Sequence, residues 1–144
     1  MSAASNRILV PVDGSANALR AVEFAAALVK GRADARLELV NVQTPVGQAV
    51  SMFVARADIK GYQREEGMKA LAPAIEALKR EGVPHGHHIG VGRPGEVIAH
   101  FAAELKCDHI VMGTRGLGST LGLLLGSVAT DVIHHCTVPV TLVK

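Results

Sequence analysis

The chain has 144 residues, of which 49% are hydrophobic and 19% charged, with a formal net charge of +2 at pH 7. That length suits one ordinary domain, and that balance excludes a disordered chain. No basic run is interleaved with aromatics, which excludes the stacking signature of a nucleic-acid binder, and no apolar run reaches the roughly 18 residues of a membrane helix.

Residues 1–6 are polar and short, unlike a secretory leader. With only two cysteines, Cys107 and Cys136, they point to a reducing, cytoplasmic setting. Residues 7–12 (RILVPV) read as a first strand, closed by the turn Asp13-Gly14-Ser15. From 16 to 30 the spacing of Ala18, Val22, Ala25, Ala26 and Val29 predicts a helix, with Gly31 as its C-terminal cap. Residues 37–42 (LELVNV) form a second strand, and a crossover of this length makes the first two parallel. The stretch 43–56 lacks periodicity and carries Pro45, Gly47, Met52 and Phe53. It is expected to be a loop whose apolar residues pack on their own domain, with a lid or partner contact as the alternative.

A second helix is expected over 59–80, with Pro73 either kinking it or marking a first turn. Residues 83–91 hold Pro84, Gly86 and Gly90, which suits an edge strand. Pro94 opens a helix over 95–106. Residues 108–112 (DHIVM) form a fourth strand, followed by a glycine-rich loop, a helix over 127–135 and a last strand that starts at Val138 and ends at Val143. The sum is an α/β chain with a single open, five-stranded, mainly parallel sheet and helices on both faces, Rossmann-like, with residues 1–144 in one domain. Ligands bind such sheets beyond the carboxyl ends of the strands, at the switch point of the winding. The loops that matter therefore begin at Asp13 and Gly113.

Five of the 15 glycines fall in the loop after the fourth strand: Gly113, Gly116, Gly118, Gly122 and Gly126. Glycine lets backbone N–H groups turn toward an anion. Gly126-Ser127 then stands at a helix N-terminus, where free amides and the dipole favour phosphate, and Ser127 is placed to cap the helix or to donate its hydroxyl. No Gly-Lys-Ser/Thr triplet of a Walker loop exists. The spacing Gly90, Gly92, Gly95 matches a dinucleotide fingerprint, but it follows the weak third strand and reads as a plain helix entry. A phospho-receiver domain would need an acceptor Asp ending the third strand, and Ile89-Gly90-Val91 supplies none.

The spacing of Gly113, Gly116 and Gly126-Ser127 resembles the nucleotide-binding signature of the ATP-binding branch of the universal stress protein family. The resemblance spans nearly the whole chain, from ILVPVDGS through Asn41-Val42, VMGTRG and LLLGSV to CTVPVTLVK. It implies a five-stranded parallel sheet, usually a homodimer, and binding of ATP or another adenine nucleotide, with Mg2+ or Mn2+ on the phosphates. By resemblance, Asp13, within Pro11, Val12, Asp13 and Gly14, would contact the ribose, and Val42 the adenine. Met112, Gly113, Thr114, Arg115 and Gly116 would line ribose and phosphates. Gly126, Ser127 and Val128 would hold the phosphate tail. The protein would act as a sensor or regulator and not as an enzyme; a slow ATPase and a dimeric interaction module without nucleotide are the alternatives. The last strand offers a pairing edge for the dimer.

Two features depart from the family pattern. The stretch LGSTLGLLL lacks the Lys or Arg that many relatives carry there, and position 129 is Ala where some carry a hydroxyl. Both favour a mono- or diphosphate over a firmly held triphosphate, and Arg115 is the nearest compensating charge. His85 and His87 share a strand face, as two metal ligands could, but no carboxylate or Cys completes a set in sequence.

Overall fold

The computed structural model describes residues 6–115 and 125–144. Its elements follow the chain as β1 (Arg7–Pro11), α1 (Ala16–Val29), β2 (Arg36–Gln43), α2 (Gln48–Ser51), α3 (Arg56–Glu81), β3 (His85–Val91), α4 (Pro94–Glu104), β4 (His109–Gly113), α5 (Ser127–His135) and β5 (Val140–Val143). The strands lie in the order β3-β2-β1-β4-β5, and all four neighbouring pairs are parallel. The winding runs outward from β1 through β2 to β3, then returns to β4 and on to β5. The switch point therefore lies between β1 and β4, as the alternation of strands and helices requires.

Side chains alternate across the sheet and build two cores. On one face Ile8, Val10, Leu37, Leu39 and Val111 meet Ala21, Val22 and Ala25 of α1 and Leu71 and Leu78 of α3. On the other, Leu9, Val40, Ile110 and Met112 meet Ile98 and Ala102 of α4 and Ala129 and Val132 of α5. The small residues of α1 let that helix approach the sheet closely. Helix α1 begins with the Ser15 hydroxyl accepting from the Ala18 N–H at 3.1 Å. Helix α3 ends at Gly82 with φ of +67°, where the N–H of Val83 reaches the Leu78 carbonyl and that of Gly82 the Lys79 carbonyl.

Two segments differ from expectation, and at a third the structure chooses between the two alternatives, since Pro73 marks no first turn. Pro73 lies inside α3, which continues to Glu81 because its buried stripe of Leu71, Ala74, Ala77 and Leu78 outweighs one missing N–H. The stretch after β2 contains the one-turn α2, and its apolar residues do not pack inward: Met52 is 72% and Phe53 86% exposed. The expected packing on the domain is thus corrected; local i to i+4 bonding decides this turn, with no buried face behind it. Finally, β5 begins at Val140, because Pro139 contributes only its carbonyl, to the Ile110 N–H.

Candidate functional site

The carboxyl ends of β1, β2 and β4 open onto a cleft of about 690 Å³, counted to its open mouth. The N-terminal turns of α4 and α5 close its other side through Pro94, Ile98, Ser127 and Val128. Val40, Val42, Ile98 and Met112 form an apolar wall continuous with the second core. Asp13, Thr114 and Arg115 bring polar groups to the rim, and Gly126-Ser127 brings a helix start.

Of the residues singled out in the sequence, Pro11, Val12, Asp13, Val42, Met112, Gly113, Thr114, Arg115, Gly126, Ser127 and Val128 all line this cleft. Gly14 does not. Its φ of +89° turns the chain into α1, and a Cβ there would face Ala70 on α3. Gly116 lies outside the described residues, together with Gly118 and Gly122. Asn41, Ile98 and Pro94 also line the cleft and were not anticipated as site residues. Asn41 had a visible signal, being one of two polar residues, with Glu38, in the apolar run LELVNV and the one at its carboxyl end. It is 4% exposed; its Nδ2 donates to the Val12 carbonyl at 2.8 Å and its Oδ1 accepts from Gln43 at 2.7 Å. It thereby ties the ends of β1 and β2 together under the cleft. Ile98 had no such signal, because only the crossing of α4 over β2 brings it to the wall.

The helix starts distinguish where an anion fits. The N-terminus of α1 is capped by Ser15. The N-terminus of α4 is capped from another helix, as Asp131 of α5 accepts from the Gly95 N–H at 2.7 Å. This is why the Gly90, Gly92, Gly95 spacing makes no phosphate loop: a carboxylate already occupies the helix end. Gly90 instead makes room for Val97 and Phe101 packed across β3. At α5, no side chain caps the N-terminus among the described residues. The N-cap is Gly126, so Ser127 is the first helical residue and not the cap that was one of its two expected roles. The Gly126 N–H donates to the Thr114 carbonyl at 2.6 Å, and the Thr130 hydroxyl donates to the Gly126 carbonyl at 3.0 Å. Gly126 thus fastens β4's outgoing chain to α5, and the first-turn amides and Ser127 face the cleft's polar end.

Asp13 serves the local turn and the cleft at once. Its Oδ1 accepts from the Ser15 N–H at 2.9 Å, an Asx turn, and the residue lines the cleft beside Val12. It is the only carboxylate among the described lining residues. Two of the three histidines of β3 are engaged separately: His85 Nδ1 lies 2.8 Å from the Val83 carbonyl, and His88 pairs with Glu38. No group of three metal-ligating side chains converges among the described residues. No helix there is long and apolar enough to cross a membrane.

Residues 5–144 match the model of the universal stress protein family. A universal stress protein of Thermus aquaticus is 37% identical over 138 residues, covering 95% of this chain and 97% of that one. Among solved structures, a universal stress protein in complex with cAMP superposes with a TM-score of 0.73 at 28% identity, covering 99% of both chains. The universal stress protein from Archaeoglobus fulgidus in complex with dAMP superposes with a TM-score of 0.71 at 29% identity, covering 96% of this chain and 98% of that chain.

Proposed function

The chain belongs to the universal stress protein family, and on that premise we propose that it binds an adenine nucleotide in the cleft between β1 and β4 and acts as a nucleotide-dependent sensor or regulator. The observation that carries this reading is the α5 N-terminus. It is uncapped among the described residues and opens onto a cleft whose opposite wall is aliphatic. A ligand satisfying both ends needs an apolar planar group and an anion a few ångströms apart, which is the chemistry of a nucleotide. The relatives whose structures hold cAMP and dAMP support adenine as the base.

In this reading Val42 and Ile98 sandwich the base without ring stacking, since no aromatic side chain is among the described lining residues. Asp13 accepts from sugar hydroxyls, and the amides and hydroxyl at Ser127 and Val128 hold phosphate. Gly113, Thr114 and Arg115 lead the phosphate side of the site, and Gly116 is assigned to it by the family spacing alone. Asp13 apart, the described lining offers no carboxylate, so Mg2+ or Mn2+ would be carried on the phosphate oxygens and not in a protein cage. We also assign the open edge of β5 to a homodimer contact.

Titration calorimetry with ATP, ADP and AMP tests the binding reading. Saturable heat with at least one of them is expected, and Gly126→Val should weaken it by about tenfold or more by crowding the N-cap where phosphate approaches. Absence of heat and of any thermal shift with all three would refute nucleotide binding.

A further inference from the structure

We propose that Asn17 is a positioning residue for the phosphate side of the cleft, and that Gly113 is glycine to leave room for it. The inference rests on the nucleotide reading above. Asn17 is the second residue of α1 and does not line the cleft. Its Oδ1 accepts from the Arg115 N–H at 2.8 Å, and its Nδ2 donates to the Val143 carbonyl at 2.9 Å. The two partners, one a donor and one an acceptor, admit a single orientation of the amide. The same Val143 carbonyl accepts from the Thr114 N–H at 2.9 Å. One side chain therefore joins three pieces of chain: the first turn of α1, the exit of β4 and the end of β5.

The consequence falls on the phosphate side of the cleft. Thr114 and Arg115 are where the chain leaves β4 toward the glycine-rich loop, and the Thr114 carbonyl in turn holds the Gly126 N–H at the start of α5. Asn17 thus sets the backbone from which the α5 N-terminus is hung. The adenine wall of Val42 and Ile98 lies on β2 and α4, to which Asn17 makes no hydrogen bond among the described residues.

Gly113 completes the argument. A Cβ built there would come within 2.5 Å of Asn17 Oδ1 and 2.8 Å of its Cγ. Gly113 is not among the residues of positive φ, so strain does not require a glycine at this position. A side chain there would instead displace the Asn17 amide from its two hydrogen bonds. The first glycine of the motif thus has a reason in a side chain behind the loop as well as in its place on the cleft.

The experiment measures binding of adenosine and of AMP by calorimetry to the wild type, Asn17→Ala, Gly113→Ala and the double variant. Asn17→Ala should weaken AMP by about tenfold, the scale of one lost anchoring hydrogen bond, with adenosine changed less than about twofold. Gly113→Ala should do the same in the wild type and add little once Asn17 is gone. Amide exchange read by NMR without ligand should show the Arg115 N–H less protected in Asn17→Ala while β1 and β2 keep their protection. Equal losses for adenosine and AMP would overturn the proposal, as would full additivity of the two substitutions or unchanged Arg115 exchange. A wild type that binds neither ligand would overturn the nucleotide reading itself, whatever the exchange result.

Discussion

Glu38 and Cys107 show what a nearly aromatic-free core does to single polar groups. Glu38 is 4% exposed, yet its Oε2 accepts from Arg36 Nε at 2.7 Å and its Oε1 lies 2.9 Å from His88 Nε2. Gly86 leaves the space, since a Cβ there would meet Glu38 Oε1 at 2.5 Å. Cys107 has no such pairing. Burial, helped by the negative charge of Glu38 and opposed by Arg7, pushes its thiol from 9.0 up to about 12. The folded state therefore holds this proton over a range where the unfolded chain releases it. The stability involved is fully present below pH 9 and drains away as pH rises from about 9 toward about 12. Urea unfolding at pH 8, 9.5 and 10.5 should show wild-type stability falling more steeply than that of Cys107→Ala; parallel slopes would contradict this. A buried free thiol was the expectation from the sequence; the charges that tune it were not legible there, because Arg7 and Glu38 lie on β1 and β2.

At the scale of elements, boundaries followed local chemistry and partnerships did not. Pro94 at the start of α4 and Gly82 past the end of α3 act where a proline and a glycine should. The capping of α4 by Asp131, 36 residues away, has no local signature. It also explains Gly95, where a Cβ would collide with the Asp131 carboxylate and come within 2.7 Å of the Asp131 backbone carbonyl. Asp131→Ala should cost about 1 kcal/mol, the usual value of a lost cap, whereas Asp131→Asn should recover part of it because an oxygen acceptor remains. Denaturant melts of the two variants decide; equal stability of wild type and Asp131→Ala would show that water replaces the cap without cost. The α2 turn is the complementary case. With Met52 and Phe53 exposed, no buried face existed for periodicity to reveal.

For the whole molecule, the sheet order leaves β3 and β5 as its two edges. The edge at β3 carries His85, Gly86, His87, His88 and Gly90, a polar, glycine-broken strand that resists pairing. The edge at β5 is Val140–Val143, with every residue partly exposed. A second copy pairing there would shield it, and light scattering at micromolar concentration should report twice the mass of one chain. Leu142→Pro, which removes a backbone donor from the side of that strand turned away from β4, should shift the mass toward the monomer. A monomeric wild type would reject the assignment.

By itself the sequence determined the kind of fold and the end of the sheet that carries the site. Apolar strands alternating with amphipathic helices permit few arrangements, and strand ends such as Val12-Asp13 and Met112-Gly113 mark themselves by the turn residues that follow. Tertiary structure decided how the helix starts differ. Ser15 caps α1 by its place in the sequence, as the turn before that helix suggested, whereas only packing brings Asp131 to α4; α5 has no side-chain cap among the described residues. It also supplied a reason for Gly113 to be a glycine. That reason is a side chain from α1, 96 positions earlier, brought within contact by the winding of the sheet. Short-range spacing carries turns, caps and periodicity; a hydrogen bond between distant segments is written only in the folded coordinates, because burial leaves each polar group to find its partner in space and not along the chain.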